Sequence, residues 1–182
     1  MPKLPYLNRE DLPSEKKHIF DHIEETRNTV PRVFQILLNS PDAAQVVSAI
    51  GEYIRYKCSL EPAIREIAIL ATARELNNEY EWTQHIPFAQ KAGVGENVIN
   101  AIRSGRAPMG IPPKEGVFAQ AAKELVRDGS LNNFTFQAIE HLLGPAQAID
   151  LIILVGYYSL MSTVIKTLEV ELEEGIEPNL ET

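Results

Sequence analysis

Three side chains carry the chemical interest of this sequence: Glu66, Glu81 and His85. Glu81 and His85 stand four residues apart, so on a helix they share a face and can touch. An imidazole has an ordinary pKa of about 6.5, so it both gives and takes a proton near neutrality. A carboxylate one turn back orients one ring nitrogen and stabilises the charged ring. Glu66 sits in the stretch AIREIAILATAREL, where Ala63, Ile64, Ile67, Ala68, Ile69, Leu70, Ala71, Ala73 and Leu76 spread around most of a helix. A helix that is apolar nearly all round belongs in a core, and a carboxylate there must be paired or neutral. The three together suit acid–base work.

Each also has a plain structural reading. Asn78-x-x-Glu81 is a capping-box pattern, in which Glu81 merely serves its own helix. His85 suits a packed position between helices with both nitrogens satisfied, and Glu66 suits a structural ion pair. Trp82 reads as core or pocket wall, and His141 as structural.

The elements that must position these groups are two helices joined at Asn77-Asn78. Ser59 is the candidate N-cap of the first, with Glu61 and Pro62 in its opening turn. The second starts near Asn78, is bent by Pro87 and ends at Gly93. Helical spacing also predicts helices over 14–27, 34–38, 43–58, 97–103, 116–127 and 134–143, and a last long one opened by Gly144-Pro145. Residues 105–115 hold three prolines and two glycines, a loop long enough to cover a site. His18 and His22 share a face, and Asp21 or Glu25 could complete a metal site. Their helix is charged all over, which favours a surface role, so no metal is expected. No stretch alternates strictly, so the fold class is all-α, of about seven to nine helices. We expect an extended arm over 1–13, a single domain over 14–172 with its core motif at 59–104, and an acidic tail over 173–182.

With 182 residues, 45% hydrophobic and 23% charged, the chain suits one domain with a sizeable core. Its net charge of −8 argues against nonspecific nucleic-acid binding. An anionic substrate would need local arginines, and Arg55, Arg65, Arg74 and Arg103 lie nearest the motif. The lone Cys58 forbids an intrachain disulfide. The first residues contain no apolar h-region, and the uncharged run 151–165 is too short to span a bilayer, so it reads as a buried core helix. A cytoplasmic location is expected. There is no Gly-x-Ser-x-Gly elbow, dinucleotide fingerprint or P-loop, so no cofactor is expected.

The string RE-x-AIL-x-x-A-R followed by YEW-x-x-H-x-x-x-A-x-x-AG resembles the carboxymuconolactone decarboxylase family, whose relatives include the AhpD-type alkyl hydroperoxidases. The likeness is specific over 59–104 and looser over 142–172. In the peroxidatic branch a glutamate precedes Cys-x-x-Cys, with a histidine four residues on. Here the glutamate is Glu66 and the histidine His85, but the two cysteine positions hold Asn78 and Glu81. That departure points to the decarboxylase-like branch. The resemblance implies an AhpD-like helical bundle that assembles as a trimer or hexamer. It further implies a cofactor-independent lyase that decarboxylates or isomerises a small carboxylated, lactone-like substrate. His85 would be the proton donor, with Glu66 and Glu81 as its acid–base partners. Trp82, Tyr53, Tyr56 and Arg74 would bind substrate, with Cys58 near the site. The alternatives are a non-catalytic oligomeric small-molecule binder and a thiol-dependent alkyl hydroperoxidase resting on Cys58 alone. The partner in either enzyme reading is a small molecule, with no nucleic acid and no membrane.

Overall fold

Helical start and stop signals recur through the chain, and the computed structural model is all-α, with no strand among the residues it describes, 1–180. Glu181 and Thr182, the end of the expected acidic tail, lie outside the described residues. The chain forms two compact units. One comprises Met1–Lys57 with Val164–Ile176, the other Cys58–Thr163 with the described residues from Glu177 on.

The first unit contains two 3₁₀ turns, Arg9–Asp11 and Ser14–Lys16, then α1 (Lys17–Arg27), α2 (Arg32–Leu37) and α3 (Pro41–Glu52), which runs into a π-helical turn, Tyr53–Lys57. The helix expected at 43–58 therefore starts earlier, with proline in its first turn, and its last turn is wider than α. The N-terminal arm is tied down within this unit. The Lys3 N–H donates to the Leu168 carbonyl, the Leu7 N–H to that of Gln35, and the Asn39 amide to that of Pro5. His18 and His22 are both exposed. His22 meets Glu52 at 2.9 Å rather than a third metal ligand, and no group of three or more His, Cys, Asp or Glu among the described residues is disposed to hold a metal ion.

The second unit is built on α4 (Pro62–Glu75), which packs against α5 (Glu79–Lys91), α6 (Glu96–Arg103) and α7 (Pro113–Asp128). Neighbours on three sides explain why α4 has no broad polar face: Ile64, Ile67, Ile69 and Leu70 are all buried. Each such side chain contributes about 1.5–3 kcal/mol relative to exposure. The start of α4 differs from expectation. Glu61, not Ser59, occupies the cap position, because Pro62 takes the first helical position, where a missing N–H costs nothing. Proline likewise moves the start of α7 forward to Pro113. The final helical stretch, α8 (Asn133–Leu168), is two helices meeting at Gly144, whose φ of 74° and ψ of 168° leave the helical region just before Pro145. The most apolar 18-residue window of α8 is 56% buried inside the protein, as expected of a core helix.

Candidate active site

The turn between α4 and α5 decides where the acidic groups point. α4 ends in a Schellman motif: Asn77 adopts the left-handed conformation at φ 47°, its N–H donates to the Arg74 carbonyl, and the Asn78 N–H donates to the Ala73 carbonyl. Asn78 then caps α5, its side-chain oxygen accepting the Glu81 N–H at 3.1 Å, while its amide donates to the Ser162 hydroxyl of α8 at 2.7 Å. This is half of the capping box read from the sequence. The reciprocal half, Glu81 to the Asn78 N–H, is pre-empted because that N–H already serves α4. The Glu81 carboxylate instead lies 3.6 Å from His85 Nε2.

His85 is the meeting point of three helices. Its Nδ1 lies 2.7 Å from Glu66 Oε2 on α4, and its Nε2 lies 3.2 Å from the Tyr158 hydroxyl on α8. The Tyr158 ring stands edge-on to the imidazole at 5.1 Å. Glu66, Glu81, His85 and Tyr158 are 2%, 5%, 3% and 3% exposed, so a single buried polar cluster is held inside apolar walls. The Glu66 carboxylate accepts from Nδ1 and keeps a hydrogen there, which fixes the tautomer and turns the Nε2 position toward Tyr158 and Glu81. A doubly protonated ring would face a carboxylate on each nitrogen. Phe88, one turn further along α5 and 44% exposed, lies 5.6 Å from the imidazole.

Trp82, Arg74, Tyr53 and Tyr56, expected to bind substrate, each have their own surroundings. Trp82 is fully buried under the Arg103 guanidinium, 5.6 Å from its ring centre, and its indole N–H has no acceptor. Arg74 is committed to the inter-helix turn, donating to the Arg103 carbonyl at 2.6 Å and to Asn77 Oδ1 at 2.5 Å. Tyr53 and Tyr56 stand exposed on the π-helical turn of the first unit. The loop after α6 lines an apolar cavity of about 510 Å³ with Met109, Ile111, Val117 and Phe134, and none of Glu66, Glu81 or His85 borders it.

Residues 41–124 match the carboxymuconolactone decarboxylase family. The matched stretch runs from the start of α3 to the last turns of α7, and so holds Glu66, Glu81 and His85 together. Solved structures agree on the fold. A peroxidase-related protein from Ralstonia eutropha JMP134, described as an alkylhydroperoxidase AhpD core, aligns over 98% of both chains with a TM-score of 0.79 at 18% identity. An uncharacterized peroxidase-related protein from Silicibacter sp. TM1040 aligns over 98% of this chain and 94% of its own, with a TM-score of 0.76 at 14% identity. The debrominase Bmp8, solved with 2,3,4-tribromopyrrole, aligns over 94% of this chain and 91% of its own, with a TM-score of 0.76 at 13% identity. No protein of curated function matches the chain. The fold is thus AhpD-like, as the sequence motif implied.

Tyr158 is the member of the buried cluster that sequence reading missed. It lies outside residues 41–124, in the uncharged run 151–165, where GYYSL reads as ordinary core. The available signal was the adjacent tyrosine pair, since a buried phenol needs a hydrogen-bond partner. Arg65 was named only as one of four nearby arginines. Its Nε lies 3.6 Å from Glu66 Oε1, beside the cluster.

Proposed function

We propose that the chain is a lyase of the carboxymuconolactone decarboxylase type, with His85 as the acid that protonates carbon. The observation that carries this reading is the 2.7 Å contact between Glu66 and His85 Nδ1, which leaves Nε2 facing the one phenol of the cluster. In such a reaction the bond from carbon to the carboxylate breaks and CO2 leaves. The electron pair passes through the conjugated system into the lactone carbonyl, giving a dienolate. The site then needs a donor for the developing oxyanion and an acid to return one proton to carbon. His85 gives the Nε2 proton and ends neutral, still donating from Nδ1 to Glu66. Tyr158 and Glu81 stand where a proton can be returned to Nε2. Buried apolar walls strengthen each of these interactions by excluding water. Isomerisation of a lactone-like substrate uses the same groups, with the proton first taken from carbon and then returned. Because positions 78 and 81 hold Asn78 and Glu81, nothing here supports the thiol route of the peroxidatic relatives.

The test is turnover of γ-carboxymuconolactone, following product and CO2, by wild type and His85→Ala. We expect turnover in the wild type and a loss of about 10²–10⁴-fold in the variant. Substrate bound without turnover by a folded wild type would favour the non-catalytic binding reading.

Self-association and a cytoplasmic setting belong to the same proposal. Leu142, Ile149, Ile152, Ile153 and Leu160 of α8 are each 36–57% exposed, an apolar stripe suited to a second copy of the chain. Ile149→Glu with Ile153→Glu should reduce the particle mass on light scattering to that of one chain; an unchanged mass argues against this face.

A further inference from the structure

The cluster around His85 has a charge problem if its substrate is a carboxylate. Two carboxylates, Glu66 and Glu81, flank one imidazole, and the whole chain carries −8. An anion entering that field needs a cation built into the site.

The arginines of the second unit differ in what they already hold. Arg74 spends its guanidinium on the Arg103 carbonyl and Asn77. Arg103 also has a buried Nε without an acceptor, but its two Nη groups are spent on Asn100 and Asn179 and its guanidinium covers the Trp82 ring. Among the described residues, the Arg65 guanidinium makes no hydrogen bond. Its Nε is buried with no acceptor, and its only ionic neighbour among the described residues is Glu66 Oε1 at 3.6 Å. Its side chain is 16% exposed, next to a carboxylate that is 3% exposed. A buried charged donor without an acceptor is costly, and such orphans call for a specific reason. The Nε edge of a guanidinium also presents the paired N–H geometry that matches a carboxylate bidentately.

We propose that Arg65, rather than the expected substrate-binding Arg74, anchors the carboxylate of the substrate. The proposal rests on the acid–base reading of His85, and it makes charge recognition a task separate from proton transfer. Arg65 holds the anionic end, while His85 addresses the carbon frame.

Calorimetry with 5-oxotetrahydrofuran-2-carboxylate and its uncharged methyl ester separates the two roles. We expect the wild type to bind the carboxylate at least tenfold more tightly than the ester. Arg65→Gln should erase that preference while still binding the ester, and Arg65→Lys should restore only part of it, since a lysine keeps the charge but not the fork. His85→Ala should keep the preference. With γ-carboxymuconolactone, Arg65→Gln should raise KM more than it lowers kcat, the opposite of His85→Ala. A carboxylate preference that survives in a folded Arg65→Gln protein overturns the anchor and leaves the role of His85 standing. A wild type that binds neither probe overturns the lactone-carboxylate class and the anchor with it.

Discussion

Glu66 and Glu124 are both buried carboxylates of the second unit, at 2% and 6% exposure, yet their surroundings differ in kind. Glu124 is met only by groups that do not titrate. Its oxygens accept the Gln120 amide at 2.8 Å, the Asn132 side-chain amide at 2.6 Å, the Asn132 N–H at 3.0 Å and the Thr135 hydroxyl at 2.8 Å. Burial by itself would raise its pKa, but the Gln120, Asn132 and Thr135 donors together hold it below the usual glutamate range. The result is a fixed charge that ties the end of α7 to the start of α8. Glu66 instead faces an imidazole on one oxygen and a guanidinium beside the other. Its main partner can change charge. A carboxylate satisfied by non-titrating donors has a fixed setting, whereas the charge of one paired with an imidazole is tied to the protonation of its partner.

That contrast is open to direct attack. The largest effect should come from Glu66→Gln, which removes the negative charge that stabilises the protonated His85 ring and puts an amide, able to donate as well as accept, against Nδ1. Turnover of γ-carboxymuconolactone should fall by about 10²-fold or more, in the range typical of a positioned acid–base group. Glu124→Gln should leave kcat within about twofold while lowering unfolding free energy by about 1.5–3 kcal/mol in urea titrations, the cost of losing hydrogen bonds to a charged group. Were Glu124→Gln the more damaging to turnover, the distinction drawn here would fail.

Acid titration sharpens the same point. The folded-state pKa of Glu124 is depressed, so its stabilisation is fully present above the ordinary glutamate pKa of about 4.3 and is lost as pH falls through the lower folded value. The wild type should therefore lose stability relative to Glu124→Gln below about pH 4.3, and the gap between them should close. Smaller still, Tyr158→Phe should cut turnover by about tenfold or less, since Glu81 remains near Nε2. The smallest effect is expected at the surface. His22→Ala breaks the pairing with Glu52, whose pKa is lowered first by Lys57 and then by His22. With His22 half exposed, melting should show a change within about 0.5 kcal/mol.

Much of this molecule was legible one segment at a time. The apolar circumference of 63–76 announced a central helix, Asn78 announced the start of α5, and Gly93 and Gly144 marked breaks that the backbone honours with φ of 82° and 74°. Proline explains where reading slipped at helix starts: Pro41, Pro62 and Pro113 each take the first helical turn, so the preceding residue becomes the cap whatever its own capping strength. The two compact units could not be read, because the residues of the first come from both ends of the chain. Nor could the fate of Glu81. Its sequence fits a capping box perfectly well, and only the competing claim of α4 on the Asn78 N–H releases it.

By itself, then, the amino-acid order determined the helical class, the helix breaks and the pairing of Glu81 with His85 on one face, because each depends on contacts within a turn or two of the chain. Tertiary structure decided that Glu66 meets Nδ1, that Tyr158 rather than another aromatic meets Nε2, and that the guanidinium Nε of Arg65 rather than that of Arg74 is left without an acceptor. Those choices depend on which faces of α4, α5 and α8 meet. Interhelical packing sets that, and no local pattern records it.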